Sequence, residues 1–138
     1  MILLDTNVIS EAIRPSPEPA VMAWLKSQDR VELWTCTIVV AEVYSGLDLM
    51  PAGKRQRQLF ERAELMFDTL FGARILTFDL PAARAYGAVL KARQAKSLPI
   101  DEMDALLAAT ALANDASLAT RNVAHFQSCG IRILNPWL

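Results

Sequence analysis

A repeated passage from a short strand-like run to a helix-length amphipathic segment constrains this chain more than any other feature. Residues 1–4 are a continuous apolar run that stops at Asp5-Thr6-Asn7, and a short apolar run closed by turn-forming residues reads as a buried strand. A helix follows through Val8, Ile9, Ala12 and Ile13. It stops near Arg14, because Pro15 and Pro17 lack donors and push the residues before them out of the helical region. The pattern then predicts a helix over about 18–27, a strand over 31–35, and a helix over 37–50 that ends at Pro51-Ala52-Gly53. A long amphipathic helix over 54–70 ends at Gly72, and a strand over 74–78 leads to a helix with Asp79 as N-cap and Pro81 in its first turn, reaching about Lys96. Another helix follows Pro99, then a strand over 116–119 and an edge strand over 131–134. Strands alternating with helices predict an α/β fold, an α/β/α sandwich around a mainly parallel sheet of four or five strands. No repeat or linker interrupts the pattern, so residues 1–138 are expected to form one domain.

Composition narrows the function classes. A chain of 138 residues buries roughly 68–70% of its unfolded surface on folding and needs neither disulfides nor a structural metal. Hydrophobic residues make up 53%, which leaves apolar surface for a partner, so an oligomer or tight complex is expected. The 14 Lys+Arg nearly balance the 15 Asp+Glu, so no global field draws in polyanions. A nucleic acid would have to meet local basic groups. Lys54, Arg55, Arg57 and Arg62 form one such candidate patch, and Arg84, Lys91, Arg93 and Lys96 another, although solvated helix faces are the favoured reading of each.

Cys36 and Cys129 make no C-x-x-C pair, and His125 is the only histidine, which excludes zinc sites and the histidine pair of metal-free ribonuclease chemistry. His125 beside Phe126 reads as structural. The five glycines are isolated, so no phosphate-cradling loop exists. No apolar run approaches the roughly 18 residues that span a bilayer, and the first residues lack the basic start of a signal peptide. A reduced cytoplasmic setting without membrane partners is the expectation.

The chemistry-bearing residues are carboxylates. Asp5 directly follows an apolar strand, where ligands bind in open α/β sheets, although an Asx-turn or cap for the next helix explains it as well. Glu42 lies in Thr37-Ile38-Val39-Val40-Ala41-Glu42-Val43-Tyr44 with no nearby cation. A buried carboxylate there needs a proton, a basic partner or a metal. Asp101 and Asp104 open the helix Ala105-Leu106-Leu107-Ala108-Ala109-Thr110-Ala111; Asp101 suits the cap, and Asp104 lies one turn further in, against small apolar residues. Asn122, after the strand over 116–119, supplies a neutral oxygen. Carboxylates gathered together raise one another's pKa unless a divalent ion neutralises them, and oxygen-only donors favour Mg²⁺ or Mn²⁺.

Asp5-Thr6-Asn7 at a strand end, Glu42 in an apolar helix, Asp104 before Ala-Leu-Leu-Ala-Ala-Thr-Ala, and Thr120-Arg121-Asn122 followed by His125-Phe126 together resemble the PIN-domain ribonucleases. The opening Met-Ile-Leu-Leu-Asp-Thr-Asn-Val-Ile-Ser-Glu and the closing Asn-Pro-Trp are similar to the VapC toxins of the FitB type, and the match runs almost end to end. The resemblance implies a homodimeric toxin of a type II toxin–antitoxin pair that cuts RNA with Mg²⁺ or Mn²⁺. A small antitoxin that also binds operator DNA would silence it, in a larger assembly. Asp5, Glu42 and Asp104 match the family's acidic positions, with Asp5 and Asp104 the main metal ligands and Glu42 binding through water or accepting a proton. Thr6, Asn7 and Thr120 would position phosphate or water; Arg121, beside them in the sequence motif, would contact a substrate phosphate, although an ordinary surface salt bridge explains it nearly as well. Asn122 stands where the family often has Asp, which implies one tightly held ion rather than two.

Two other readings stay open at this stage. One is a PIN-fold regulatory subunit with weak or no nuclease activity that acts with its antitoxin in transcriptional repression. The other, a phospho-aspartyl protein, is disfavoured because Asn7 stands where a second Asp is wanted. An antitoxin groove near Trp24, Leu47, Leu49 and Met50 is a further expectation.

Overall fold

A computed structural model describes all residues from Met1 to Leu138. Five strands, β1 (Ile2–Leu4), β2 (Leu33–Cys36), β3 (Ile75–Leu76), β4 (Ser117–Ala119) and β5 (Ile133–Leu134), form one sheet in the order β3-β2-β1-β4-β5. Every pairing is parallel. The sheet is therefore wholly parallel, the case in which helices must supply the crossovers.

Seven helices do so: α1 (Thr6–Ala12), α2 (Pro19–Ser27), α3 (Thr37–Asp48), α4 (Lys54–Leu65), α5 (Leu80–Ala95), α6 (Glu102–Ala113) and the short α7 (Val123–Phe126). The α/β/α sandwich read from the sequence is the observed one. The strands are shorter than expected at their starts, and Arg30–Glu32 forms a 3₁₀ turn ahead of β2. The predicted helix over 54–70 is also two pieces. After Leu65 it widens into a π-helical segment, Met66–Phe71, closed by a bond from Gly72 N–H to Phe67 O at 3.1 Å. The widened turns bury Phe67 and Phe71, and Phe67 meets Tyr44 of α3 with ring centroids 5.7 Å apart. Gly72, at φ +55°, makes the left-handed exit that only glycine accepts freely.

The chain runs from β1 outward to β2 and β3, then returns to β4 and β5 on the other side of β1. The crevice between the carboxyl ends of β1 and β4 is thus the topological switch point, where open α/β sheets bind ligands. Helix α6 buries Ala105, Leu107, Ala108, Ala109, Thr110 and Ala111, as expected of a helix apolar on nearly every side. Its small side chains allow the close packing of α5 against it.

An apolar cleft of about 560 Å³ is lined by Leu4, Val8, Ile9, Met22, Leu25, Leu70 and Phe71 among others. Trp24, Leu47, Leu49 and Met50 do not line it; Leu47 is buried in the core and Leu49 is exposed. No helix is long and apolar enough to cross a membrane.

Candidate active site

Asp5 is the first residue after β1, and its backbone N–H donates to Ala119 O of β4 at 3.0 Å, which fixes it over the switch point. It is also the N-cap of α1: its Oδ1 accepts from Thr6 N–H at 2.7 Å. The cap and the functional placement, alternatives in the sequence, coexist. Oδ2 accepts from the Thr120 hydroxyl at 2.6 Å and from Asn7 Nδ2 at 3.1 Å. Asn7 Nδ2 also donates to Thr120 Oγ1 at 3.2 Å, and Asn122 N–H donates to that oxygen at 3.0 Å. Thr6, Asn7, Thr120 and Asn122 therefore belong to one network around Asp5.

Glu42 sits on α3 one turn beyond Ile38, half-buried rather than enclosed, and its Oε1 accepts from the Thr6 hydroxyl at 2.9 Å. Asp104, on the first turn of α6, is also half-buried, with Oδ2 3.1 Å from His125 Nδ1. Asp101 is the N-cap of α6 by backbone position alone. The cap position read from the sequence is the observed one, but the carboxylate makes no capping bond and is left to solvent.

Burial pushes all three carboxyls above the usual carboxylate range. For Asp5 the charge of Asp104 adds to burial, against the bonds from Thr120, Thr6 and Asn7. For Glu42, burial is reinforced by Asp5, Asp104 and Asp101, against Thr6. For Asp104, burial and Asp101 act against His125 and Arg93. Asp5 and Glu42 each feel the charge of another member of the trio, and Asp104 feels that of Asp101, while no Lys or Arg forms an ion pair with any of the three. Cys36, at the end of β2, is pushed up to about 11 by burial, so a thiolate nucleophile is excluded there.

This donor set suits a hard divalent cation: three desolvated, mutually repelling carboxylates with spare oxygens. Asp5 Oδ1 keeps a free lone pair, and Glu42 Oε2 and Asp104 Oδ1 accept no bond within the chain. No three His, Cys, Asp or Glu side chains converge closely enough to share an ion directly. Water would complete the coordination, as is common for Mg²⁺.

Sequence reasoning missed two residues. His125, read as structural, has an exposed ring against Asp104, and Arg93, read as a basic-patch member, is buried. Its guanidinium donates to Pro99 O, Ala124 O and Gln127 O at 2.5, 3.1 and 2.9 Å, tying the lead-in to α6 to α7. Arg62 likewise donates to Ile13 O and Arg14 O, just beyond the carboxyl end of α1. No local pattern signals either, because both depend on segments distant in the chain.

A parallel five-stranded sandwich with acidic side chains at its switch point defines the class of the molecule. The profile of the PIN domain family matches residues 2–128, and the chain belongs to that family. It is similar to the plasmid stability protein StbB of Pseudomonas syringae pv. tomato, 43% identical over 99% of each chain. It is similar also to the VapC ribonuclease Y4jK of Sinorhizobium fredii, 40% identical over 99% of this chain and 98% of that one. The toxin FitB of Neisseria gonorrhoeae is 39% identical over 99% of each. Among solved structures, FitAB bound to an IR36 DNA fragment superposes with a TM-score of 0.92 at 39% identity, covering 100% of this chain and 96% of that one.

Proposed function

We propose that this protein is the toxin of a type II toxin–antitoxin pair, an endoribonuclease that hydrolyses RNA phosphodiester bonds with Mg²⁺ or Mn²⁺ in the cytoplasm. The observation that carries the reading is the trio Asp5, Glu42 and Asp104, desolvated at the switch point with no Lys or Arg paired to any of them. Relatives named VapC ribonuclease and toxin FitB over nearly the whole chain support it.

Asp5 and Asp104 hold the ion, and Glu42 reaches it through water or takes the proton of the attacking water at Oε2, the oxygen that Thr6 leaves free. Such an ion polarises the phosphoryl oxygen and acidifies water. Thr120, Thr6 and Asn7 fix the Asp5 carboxylate through three hydrogen bonds, so its free lone pair is presented without reorganisation. Asn122 adds no charge, which favours a single ion.

The apolar cleft, with Lys26, Arg30 and Arg74 on its lining, suits an antitoxin segment with apolar and acidic side chains. The structure of FitAB on DNA supports an antitoxin that carries the operator binding. A homodimer within a larger assembly completes the proposal.

One observation, the neutral Asn122, favours the regulatory-subunit reading. Cleavage of a mixed RNA pool by the purified, antitoxin-free chain separates the two. The nuclease cuts with Mg²⁺ or Mn²⁺, and Asp104→Asn or EDTA abolishes cutting. A folded wild type that cuts under no condition is the regulatory subunit.

A further inference from the structure

Arg121 and Trp137 stand together beside the carboxylates. β4 and β5 are parallel neighbours with Ala119 opposite Leu134, and Thr120 N–H donates to Leu134 O at 2.9 Å, so the segments leaving both strands emerge side by side. Arg121 follows two residues after that pair on one segment and Trp137 three residues after it on the other. The guanidinium carbon lies 5.4 Å from the indole centroid.

Both residues are tied down. Arg121 N–H donates to Asn7 Oδ1 at 3.2 Å, and the same amide group grips Asp5 Oδ2, so Arg121 hangs from the network of the principal carboxylate. Trp137 N–H is fixed by Asn135 Oδ1 at 3.0 Å, and the indole packs against the core. Arg121 is exposed and forms no ion pair. Glu11, which feels its charge, is already paired with Arg14 at 2.9 Å. A guanidinium resting on an aromatic face keeps its donor edge free and is less strongly hydrated than an ammonium.

An acidic site on a chain with net charge −1 repels a polyanion. Substrate binding therefore gains from a nearby cation that no carboxylate has neutralised, and Arg121, exposed, unpaired and hung by its backbone from the Asp5 network, is one. We propose that Arg121, held by Trp137, binds the phosphodiester group adjacent to the scissile one in single-stranded RNA. Its planar fork matches two non-bridging oxygens. A base splayed from a single strand finds a stacking face on the same pair. Arg121 is the binding group and Trp137 its positioning residue. This inference rests on the ribonuclease reading.

The test compares wild type, Arg121→Ala, Arg121→Lys and Trp137→Leu in the full chain. Steady-state cleavage of a labelled single-stranded RNA is measured together with anisotropy of the same RNA in EDTA across a salt series, and with Mn²⁺ affinity. Arg121→Ala is expected to raise KM about tenfold with kcat changed less than about threefold, the signature of lost uniform binding. It should also reduce the slope of log K against log salt by about 0.7, one phosphate contact on a single strand. Arg121→Lys keeps the slope and recovers only part of the affinity. Trp137→Leu weakens binding with the slope retained, and Mn²⁺ affinity is equal in all four proteins. Unchanged KM and slope in Arg121→Ala, with wild type still cleaving, overturns this inference alone, as does a fall in kcat with KM unchanged. A wild type that neither binds nor cleaves RNA overturns it together with the ribonuclease reading.

Discussion

Asp5 carries two duties that a sequence presents as rivals, capping α1 through Thr6 N–H and standing at the head of the acidic trio. Both were readable because a carboxylate directly after an apolar strand has few alternatives. Glu42 and Asp104 were readable for the same reason, as charges set among apolar neighbours. His125 and Arg93 were not, because their partners arrive from other elements. The three raised pKa values have a consequence for stability. An acid whose folded-state pKa is raised favours folding most when protonated, so the contribution is full below the ordinary carboxylate range and is lost as pH rises through the raised values. At neutral pH the metal-free cluster therefore opposes folding, chiefly through the burial of charge and secondarily through repulsion. Glu42→Gln, which keeps an oxygen for Thr6, is expected to raise the metal-free melting temperature by about 2–4 °C at neutral pH and to leave it nearly unchanged near pH 4. Mn²⁺ at a hundredfold excess over its Kd should stabilise wild type by about 2.7 kcal/mol and the variant by less. Thermal scans with and without Mn²⁺ check both, and a lower neutral-pH melting temperature for Glu42→Gln contradicts the account.

At the scale of elements, helix starts were easier to read than helix ends. Asp79 caps α5 as its sequence suggests, with Oδ1 accepting from Ala82 N–H at 3.1 Å. The ends of α5 and α6 carry no glycine, yet both close in the same double-bonded turn. Ser97 N–H reaches Gln94 O and Leu98 N–H reaches Arg93 O; Asp115 N–H reaches Leu112 O and Ala116 N–H reaches Ala111 O. Ser97 and Asp115 hold the left-handed position at φ 54° and 50°. Asp tolerates that region through its short polar side chain, whereas Ser does so less readily. Ser97→Gly is thus expected to stabilise the fold by about 0.5–1 kcal/mol, against the usual direction of a glycine substitution. Urea denaturation measures it, and a destabilised variant means that the Ser97 side chain contributes something the backbone geometry does not reveal. The π-helical segment escaped sequence reading because the positions of Phe67 and Phe71 fit an ordinary helix face equally well; Tyr44 on another element decides.

For the molecule as a whole, strand alternation foretold the layers, and the strand order 3-2-1-4-5 turned separate strand-end residues into one site. The apolar cleft was foreseen in kind from composition but not in place, since α1, α2 and the π-helical segment meet there only in three dimensions. Leu70 lines the cleft and is partly exposed, so Leu70→Glu is expected to weaken the antitoxin complex about tenfold or more, because a charge set into an apolar groove loses its hydration. RNA cleavage by the free chain should be unaffected, because none of the three carboxylates lines the cleft. Calorimetric titration with antitoxin measures the first effect, and equal affinity removes the cleft as the docking groove. The central claim is that Asp5 anchors a metal-dependent RNA-cleaving site, and it is tested most directly by single-turnover cleavage of RNA across a Mn²⁺ titration in wild type and Asp5→Asn. The account predicts saturable metal dependence in wild type and a rate at least about a hundredfold lower in the variant. Equal rates in the two proteins would contradict it.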